Sequence, residues 1–335
     1  MKNPIVSVTV SSYKHAKYLP ACLDSILNQK TNFEYEVIVG EDCSNDGSRE
    51  ILLDYLDRYP NKLTVIFNEE NLGVTKNGFN IRKRCKGKYI TGCESDDYWC
   101  DEYKLQKQVD YLESHPDIAA VGANYYYIDN DDTWRRLALR YNQTDRTYHL
   151  KDFLYYGFIA HGNTLMRRCE TTPAEGEEYE KLRFSAPTQG DVITRCLIYD
   201  KGGIYVFPEP MLCHRDGSSL PSSFTAQNKN KAIFYTHMHR DILLALNKYF
   251  DGKYDFTPKL CHRLGYILID KLRGSIKFDM REFNSIFNSL KFSHKILTIW
   301  QFIRQILEKI YNIIYWKFHD CNQYKVKRKE NGNEQ

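Results

Sequence analysis

The chain has 335 residues, 42% of them apolar, enough for one large domain with a sizeable core plus a smaller piece. Lys and Arg number 47 against 43 Asp and Glu, and the resulting +4 gives no field for non-specific nucleic-acid binding. The ten cysteines have no CxxC pair, the first residues carry no secretory apolar core, and no stretch of about 20 residues is free of charge. These features argue against a disulfide framework, a zinc site and a membrane-spanning helix, and favour a cytoplasmic protein with reduced thiols.

Ile5–Val10 alternates β-branched residues and predicts a first strand, ending at Ser11-Ser12-Tyr13-Lys14-His15. Leu19, Cys22, Leu23, Ile26 and Leu27 give residues 18–28 a helical period. A second strand, Tyr35–Val39, ends at Gly40-Glu41-Asp42-Cys43-Ser44-Asn45-Asp46-Gly47-Ser48. A helix over Ser48–Arg58, a strand over Leu63–Phe67, a turn at 68–73 and a helix over Val74–Lys86 follow. A fourth strand at Tyr89–Thr91 runs into Gly92-Cys93-Glu94-Ser95-Asp96-Asp97-Tyr98-Trp99, which packs three carboxylates into four residues.

The alternation of strands and helices predicts an α/β fold, a Rossmann-like, mostly parallel central sheet flanked by helices. Right-handed crossovers bring the two acidic strand ends to one edge of the sheet, where open α/β sheets bind ligands. Crowded carboxylates need a cation or hydrogen-bond donors to relieve them. Hard divalent ions take one or two carboxylates plus substrate phosphate oxygens. A solvated acidic turn explains one such cluster but not two in register. GxGxxG and Gly-Lys-Ser/Thr loops are both lacking, which disfavours dinucleotide and P-loop sites.

Further on, Glu102–Glu113 reads as a helix, Ile118–Ile128 as a Tyr-rich strand and Asn130-Asp131-Asp132 as a solvated turn. Residues 170–181 are dense in Glu and read as a solvated excursion. Asp191 precedes a helix over Thr194–Asp200 and is either its N-cap or a reactive carboxylate. Ile204–Phe207 predicts a strand and Cys213–Ser219 a loop. Helical segments follow near 226–249, 258–272 and 279–290, where His237 and His239 face different ways. Residues 294–318 read as an amphipathic helix with Ile296, Ile299, Trp300, Ile303, Ile306, Leu307, Ile310, Ile313 and Ile314 on one face and Gln301, Arg304, Gln305, Glu308, Lys309 and Asn312 on the other. A core, a partner helix in a homodimer or a peripheral membrane contact would each cover that stripe. The flanking aromatics and the basic run Lys325–Lys329 also suit a membrane surface. Residues 322–335 read as a disordered basic tail.

Val6–Tyr13, Glu41–Ser48, Asn71–Asn77 and Glu94–Trp99 together resemble, in order and spacing, the family 2 glycosyltransferases with the GT-A fold. The resemblance implies a GT-A domain over 1–223, with a nucleotide-binding half at 1–100 and an acceptor-side half at 101–223, then a helical region at 224–321. It implies inverting transfer of a sugar from a nucleotide-sugar, usually a UDP-sugar, to a hydroxyl of a glycan or lipid-linked acceptor. Such enzymes serve bacterial surface polysaccharide synthesis at the inner face of the cytoplasmic membrane, with Mn²⁺ or Mg²⁺ as cofactor.

Carried over residue by residue, Ser11 and Tyr13 match the loop against the base, and Asp42 the carboxylate that accepts from uracil. Lys76 falls near base or phosphates. Glu94-Ser95-Asp96 matches the DxD motif, with Glu94 towards the ribose and Asp96 on the metal. His214 and Arg215 match the loop over the donor phosphates, His214 as a metal ligand and Arg215 as a pyrophosphate partner. Trp99 and His161 fall on the acceptor side, and Asp191 matches the general base. The sequence departs from the family pattern at Glu41 and Glu94, where Asp is commoner, and at Gly190, where Glu is usual. A nucleotidyltransferase is one rival, but Ser11–His15 lacks the glycines its loop would need. A non-catalytic nucleotide- or carbohydrate-binding protein is the other, and intact Asp96 and Asp191 argue against it. No nucleic-acid partner is expected.

Overall fold

The computed structural model describes residues 3–132, 135–185, 188, 190–215, 232–274 and 280–318. Strands β1 (Val6–Ser12), β2 (Tyr35–Glu41), β3 (Leu63–Phe67) and β4 (Tyr89–Glu94) are parallel in the order β3-β2-β1-β4. Helices α1 (Leu19–Leu27), α2 (Ser48–Arg58) and α3 (Gly73–Arg82) connect them. Val6, Val8, Val10, Val37 and Val39 are buried on one face and Ile38 and Ile90 on the other, as expected for a sheet covered on both faces. β1, β2 and β4 run past their apolar cores into Ser12, Glu41 and Glu94. Backbone pairing sustains them there, with Ser11 opposite both Gly40 and Glu94.

The sheet continues through β9 (Met166–Arg168), β6 (Ile118–Ile128), β10 (Gly203–Arg215) and β5 (Tyr98–Trp99). β9 is antiparallel between β4 and β6, while β6 and β10 are parallel. Short strands β7 (Arg135–Leu137) and β8 (Arg146–Tyr148) pair with β6 and β10. Helices α4 (Lys104–Ser114), α5 (Leu150–Tyr156), α6 (Glu177–Arg183) and α7 (Gly190–Lys201) complete this part.

Three segments differ from the sequence pattern. The expected strand at 204–207 and loop at 213–219 are bridged by one strand, β10. Pro208 and Pro210 cannot donate to a ladder, and the strand absorbs them through register shifts between Phe207 and Leu212. His214 and Arg215 therefore sit at a strand end; residues 216–219 lie outside the described residues. The Glu-dense excursion contains α6, which buries Tyr179 and Leu182. The turn at 130–132 is tied down, because Asp132 pairs with Arg215 at 2.8 Å.

Helices α8 (Ala232–Tyr249), α9 (Thr257–Leu272), α10 (Met280–Ser289) and α11 (Phe292–Phe318) follow. Met238, Ile242, Leu246, Leu260 and Leu264 join the same core cluster as Phe153 and Leu197. α11 lies close along α9, where a Cβ on Gly265 would come within 3.0 Å of the Phe302 nitrogen. The expected tail at 322–335 lies outside the described residues. No helix among the described residues is long and apolar enough to cross a membrane. The nine described cysteines are free thiols.

Candidate active site

The carboxyl ends of β2, β1 and β4 stand side by side, Ser12 opposite Glu41 and Ser11 opposite Glu94. The loops beyond them are knitted together. Asp42 N donates to Ser12 O at 2.9 Å, Lys14 N to Ser44 Oγ at 2.9 Å and Ser95 N to Ser11 O at 3.2 Å. Lys14 and Cys43 hold φ of +56° and +60°, a region that side-chain-bearing residues enter at a cost and that concentrates at functional sites.

On the β2 side, Asp42 is buried. Its Oδ1 accepts from Leu72 N at 2.8 Å and Asn68 Nδ2 at 3.0 Å, and its Oδ2 from Gly73 N at 2.9 Å, at the first turn of α3. α3 reaches this position because residue 40 is glycine. A Cβ there would collide with Asn77 and Ile81, and Asn77 Nδ2 instead donates to Gly40 O at 2.9 Å. Glu41 is fully enclosed, accepting from Ser44 N at 2.6 Å and Arg49 Nη1 at 3.3 Å, so it braces the loop. Ser11 is half-buried, while Tyr13 and Lys76 are exposed.

On the β4 side the acidic motif meets the end of β10. Asp97 is buried, and its carboxylate accepts from His214 Nδ1 at 2.9 Å, Arg215 N at 2.9 Å and Asn163 Nδ2 at 2.7 Å. The His161 and His214 rings lie 4.1 Å apart, tilted by 32°, with Tyr125 and Tyr127 against them. Ligand atoms of Asp97, His161 and His214 all lie within 4.8 Å of one another. Asp97, however, has both oxygens engaged by donors. It holds His214 by Nδ1, and a carboxylate behind a histidine is the arrangement that orients such a ring for metal binding through its other nitrogen. His15 reaches the motif from the β1 loop, 2.9 Å from Ser95 Oγ and 3.9 Å from Asp96.

The electrostatics follow from this packing. Glu94 stays in contact with solvent, yet desolvation in the cleft, then the charges of Asp96 and Asp97, push its pKa up to about 8. Burial, then Asp97, also raises Asp96. Burial alone would raise Asp97, but the His214 hydrogen bond and charge outweigh it and hold the carboxyl below its ordinary range. Burial would lower His214, but Asp97, with Glu94 and Asp96 behind it, raises it. Burial and the neighbouring His214 push His161 down to about 3. The cleft thus holds one Asp97–His214 pair and two crowded carboxyls whose charged forms are disfavoured without a cation. Carboxylate oxygens and an imidazole nitrogen are donor types that divalent cations take, and among the described residues the ligand atoms that converge are those of Asp97, His161 and His214.

Arg215 is not turned towards the cleft. Its buried guanidinium donates to Asp96 O at 3.0 Å, Asp129 O at 2.8 Å and Asp132 Oδ1 at 2.8 Å, holding the motif from behind. Trp99 is also buried, paired with β10 and covered by Lys104 Nζ at 4.1 Å from its ring. Asp191 is exposed within the first turn of α7. One turn later Arg195 donates to Ala160 O, which ties this helix to the His161 segment. Arg183 Nη1 donates to Gly190 O at 2.8 Å, and its guanidinium occupies the space beside residue 190.

Sequence reasoning assigned no role to Asp97, His15, Asn163 or Arg195. Only Asp97 had a signal, its place inside the acidic motif.

Among solved structures, Staphylococcus aureus TarS residues 1–349 in complex with UDP-GlcNAc matches with TM-score 0.56 at 18% identity, over 88% of this chain and 79% of that one. The same fragment with UDP matches with TM-score 0.55 at 18% identity, over 91% and 82%. The fold is of the GT-A type, a mostly parallel central sheet flanked by helices and followed by C-terminal helices. Residues 7–169 match the family model of Glycosyl transferase family 2. Rv1520 of Mycobacterium tuberculosis, an uncharacterised protein, is 38% identical over 112 residues, 33% of this chain and 32% of the relative. TuaG of Bacillus subtilis, assigned by name as a teichuronic acid biosynthesis glycosyltransferase, is 34% identical over 109 residues, 32% of this chain and 42% of the relative. These matches span less than half the length of either relative.

Proposed function

We propose that this chain is a metal-dependent, inverting glycosyltransferase. It would move a sugar from a UDP-sugar to a hydroxyl of a glycan or lipid-linked acceptor, in bacterial surface polysaccharide synthesis at the inner face of the cytoplasmic membrane. The observation that carries this reading is the crowding of two carboxyls with raised pKa, Glu94 and Asp96, beside the Asp97-held His214 at the ends of β4 and β10. The UDP and UDP-GlcNAc complexes of TarS and the name of TuaG support the donor and pathway class.

Ser11, Tyr13, Asp42 and Lys76 bind the nucleotide, Glu94 faces the ribose, and Ser95 shapes the turn between Glu94 and Asp96. Mn²⁺ or Mg²⁺ held by Asp96 and His214 would neutralise charge on the departing diphosphate. Asp191 takes the acceptor hydroxyl proton, and His161 lines the acceptor side. Arg215 and Trp99 act through the motif they support.

The test is Asp96→Ala, assayed by calorimetry with UDP and Mn²⁺. We expect metal-dependent UDP binding to vanish while circular dichroism stays unchanged. Undiminished binding would remove Asp96 from the metal site.

A further inference from the structure

We propose that α11 lies on an anionic lipid surface and binds it through the apolar face it leaves uncovered. The helix docks with its polar side inward. Thr298, Gln301 and Gln305 are buried, Gln301 Nε2 donating to Tyr155 O at 2.9 Å and Gln305 Nε2 to His262 O at 3.0 Å. The opposite face carries Phe292 (79% exposed), Leu307 (61%) and Ile313 (65%), with Ile296, Ile299, Ile303 and Ile310 about half exposed. A soluble surface rarely leaves so long an apolar row open without a partner.

Charge decides what covers it. Residues 291–335 hold nine Lys and Arg against four Asp and Glu, whereas the first 290 residues hold one more acid than base. The chain's whole positive excess therefore lies on this helix and the sequence after it. A second copy would set two such segments against each other, but an anionic surface attracts them both by charge and by apolar burial. Trp300 and Tyr311 are half-exposed beside the row, as suits the polar boundary of a bilayer.

The patch is continuous with the acceptor side. Arg304 stands 5.0 Å over the Tyr156 ring and 5.8 Å from Trp300, and the exposed Tyr155, Tyr156 and Phe158 lead along the chain towards His161. The anchor would thus turn the acceptor side towards the lipid. That consequence rests on the transferase reading, whereas the anchoring does not.

The experiment is sedimentation of the full chain with vesicles of phosphatidylcholine containing roughly 30% phosphatidylglycerol, at about 0.05 M salt. The wild type should pellet with them, and less so at about 0.5 M salt or with phosphatidylcholine alone. The double variant Ile303→Glu/Leu307→Glu should partition about tenfold more weakly or worse while still unfolding cooperatively, because both side chains are at least half exposed. Wild type that stays in the supernatant overturns the proposal, as does a variant that pellets equally well. So does a dimer that the variant makes monomeric while neither binds vesicles, which would assign the face to a second copy. UDP binding on the same samples reports separately on the transferase reading.

Discussion

Asp97→Asn isolates the link between the acidic motif and His214. The three groups on the carboxylate all donate, Arg215 N at 2.9 Å, Asn163 Nδ2 at 2.7 Å and His214 Nδ1 at 2.9 Å. An amide keeps one accepting oxygen and turns a donor towards the rest. If the oxygen stays on Arg215 N, the new NH₂ faces Asn163 and His214. His214 can then accept only by moving its proton to Nε2, which points an N–H where a metal would need a lone pair. The variant loses or inverts one or two charge-assisted bonds worth about 1.5–3 kcal/mol each, so unfolding stability should drop by roughly 3 kcal/mol. Mn²⁺ affinity should fall about 10–100-fold, the usual effect of losing a ligand's supporting carboxylate. Calorimetric Mn²⁺ titration and urea unfolding measure the two quantities. A folded variant with undiminished Mn²⁺ affinity would refute the role given to His214, and undiminished stability would refute the bonding pattern.

Two further outcomes test the cleft. Glu94 and Asp96 are both held above the ordinary carboxylate range, so the unfolded chain gives up these protons first and the stability these two groups contribute is lost as pH climbs through their raised range, while neutral His161 contributes the opposite trend below 6.5. His214 adds to the carboxyl trend, since its raised pKa contributes stability below 6.5 that is lost as pH rises through the folded value. Saturating Mn²⁺ should therefore raise the melting temperature more near pH 8 than near pH 5.5, and an equal or larger shift at the lower pH contradicts the charge account. Asp191→Asn should leave UDP-sugar affinity intact and slow turnover by about 10²–10⁴-fold; normal turnover would reduce Asp191 to a first-turn helix acid.

The sheet was legible because local period and strand ends carry it: β-branched runs gave the strands, and the acidic clusters gave the edge where a ligand sits. What stayed hidden were partners far apart in the chain. Asp97 stood in plain view, but the groups that fix its role come from 66, 117 and 118 residues further on. Arg215 reads as an anion ligand when its neighbours are unknown. Its burial depends on β10 continuing past two prolines by shifting register, which local rules score against a strand.

α11 marks a sharper limit. The periodicity of 294–318 defines two faces but not which one turns inward, and the usual rule would bury the isoleucines. The body offers something else beneath the helix. Tyr155 lies in the last turn of α5, where backbone carbonyls have no partner within their own helix. Gln301 reaches one of them across 146 residues of sequence, and Gln305 takes the His262 carbonyl on α9. Burying an unmet carbonyl is costly, so a surface of this kind favours glutamine over isoleucine against it. Once the glutamines are committed inward, helix geometry forces the isoleucines out, and the face that meets solvent or lipid is decided by an orphaned carbonyl in another part of the fold.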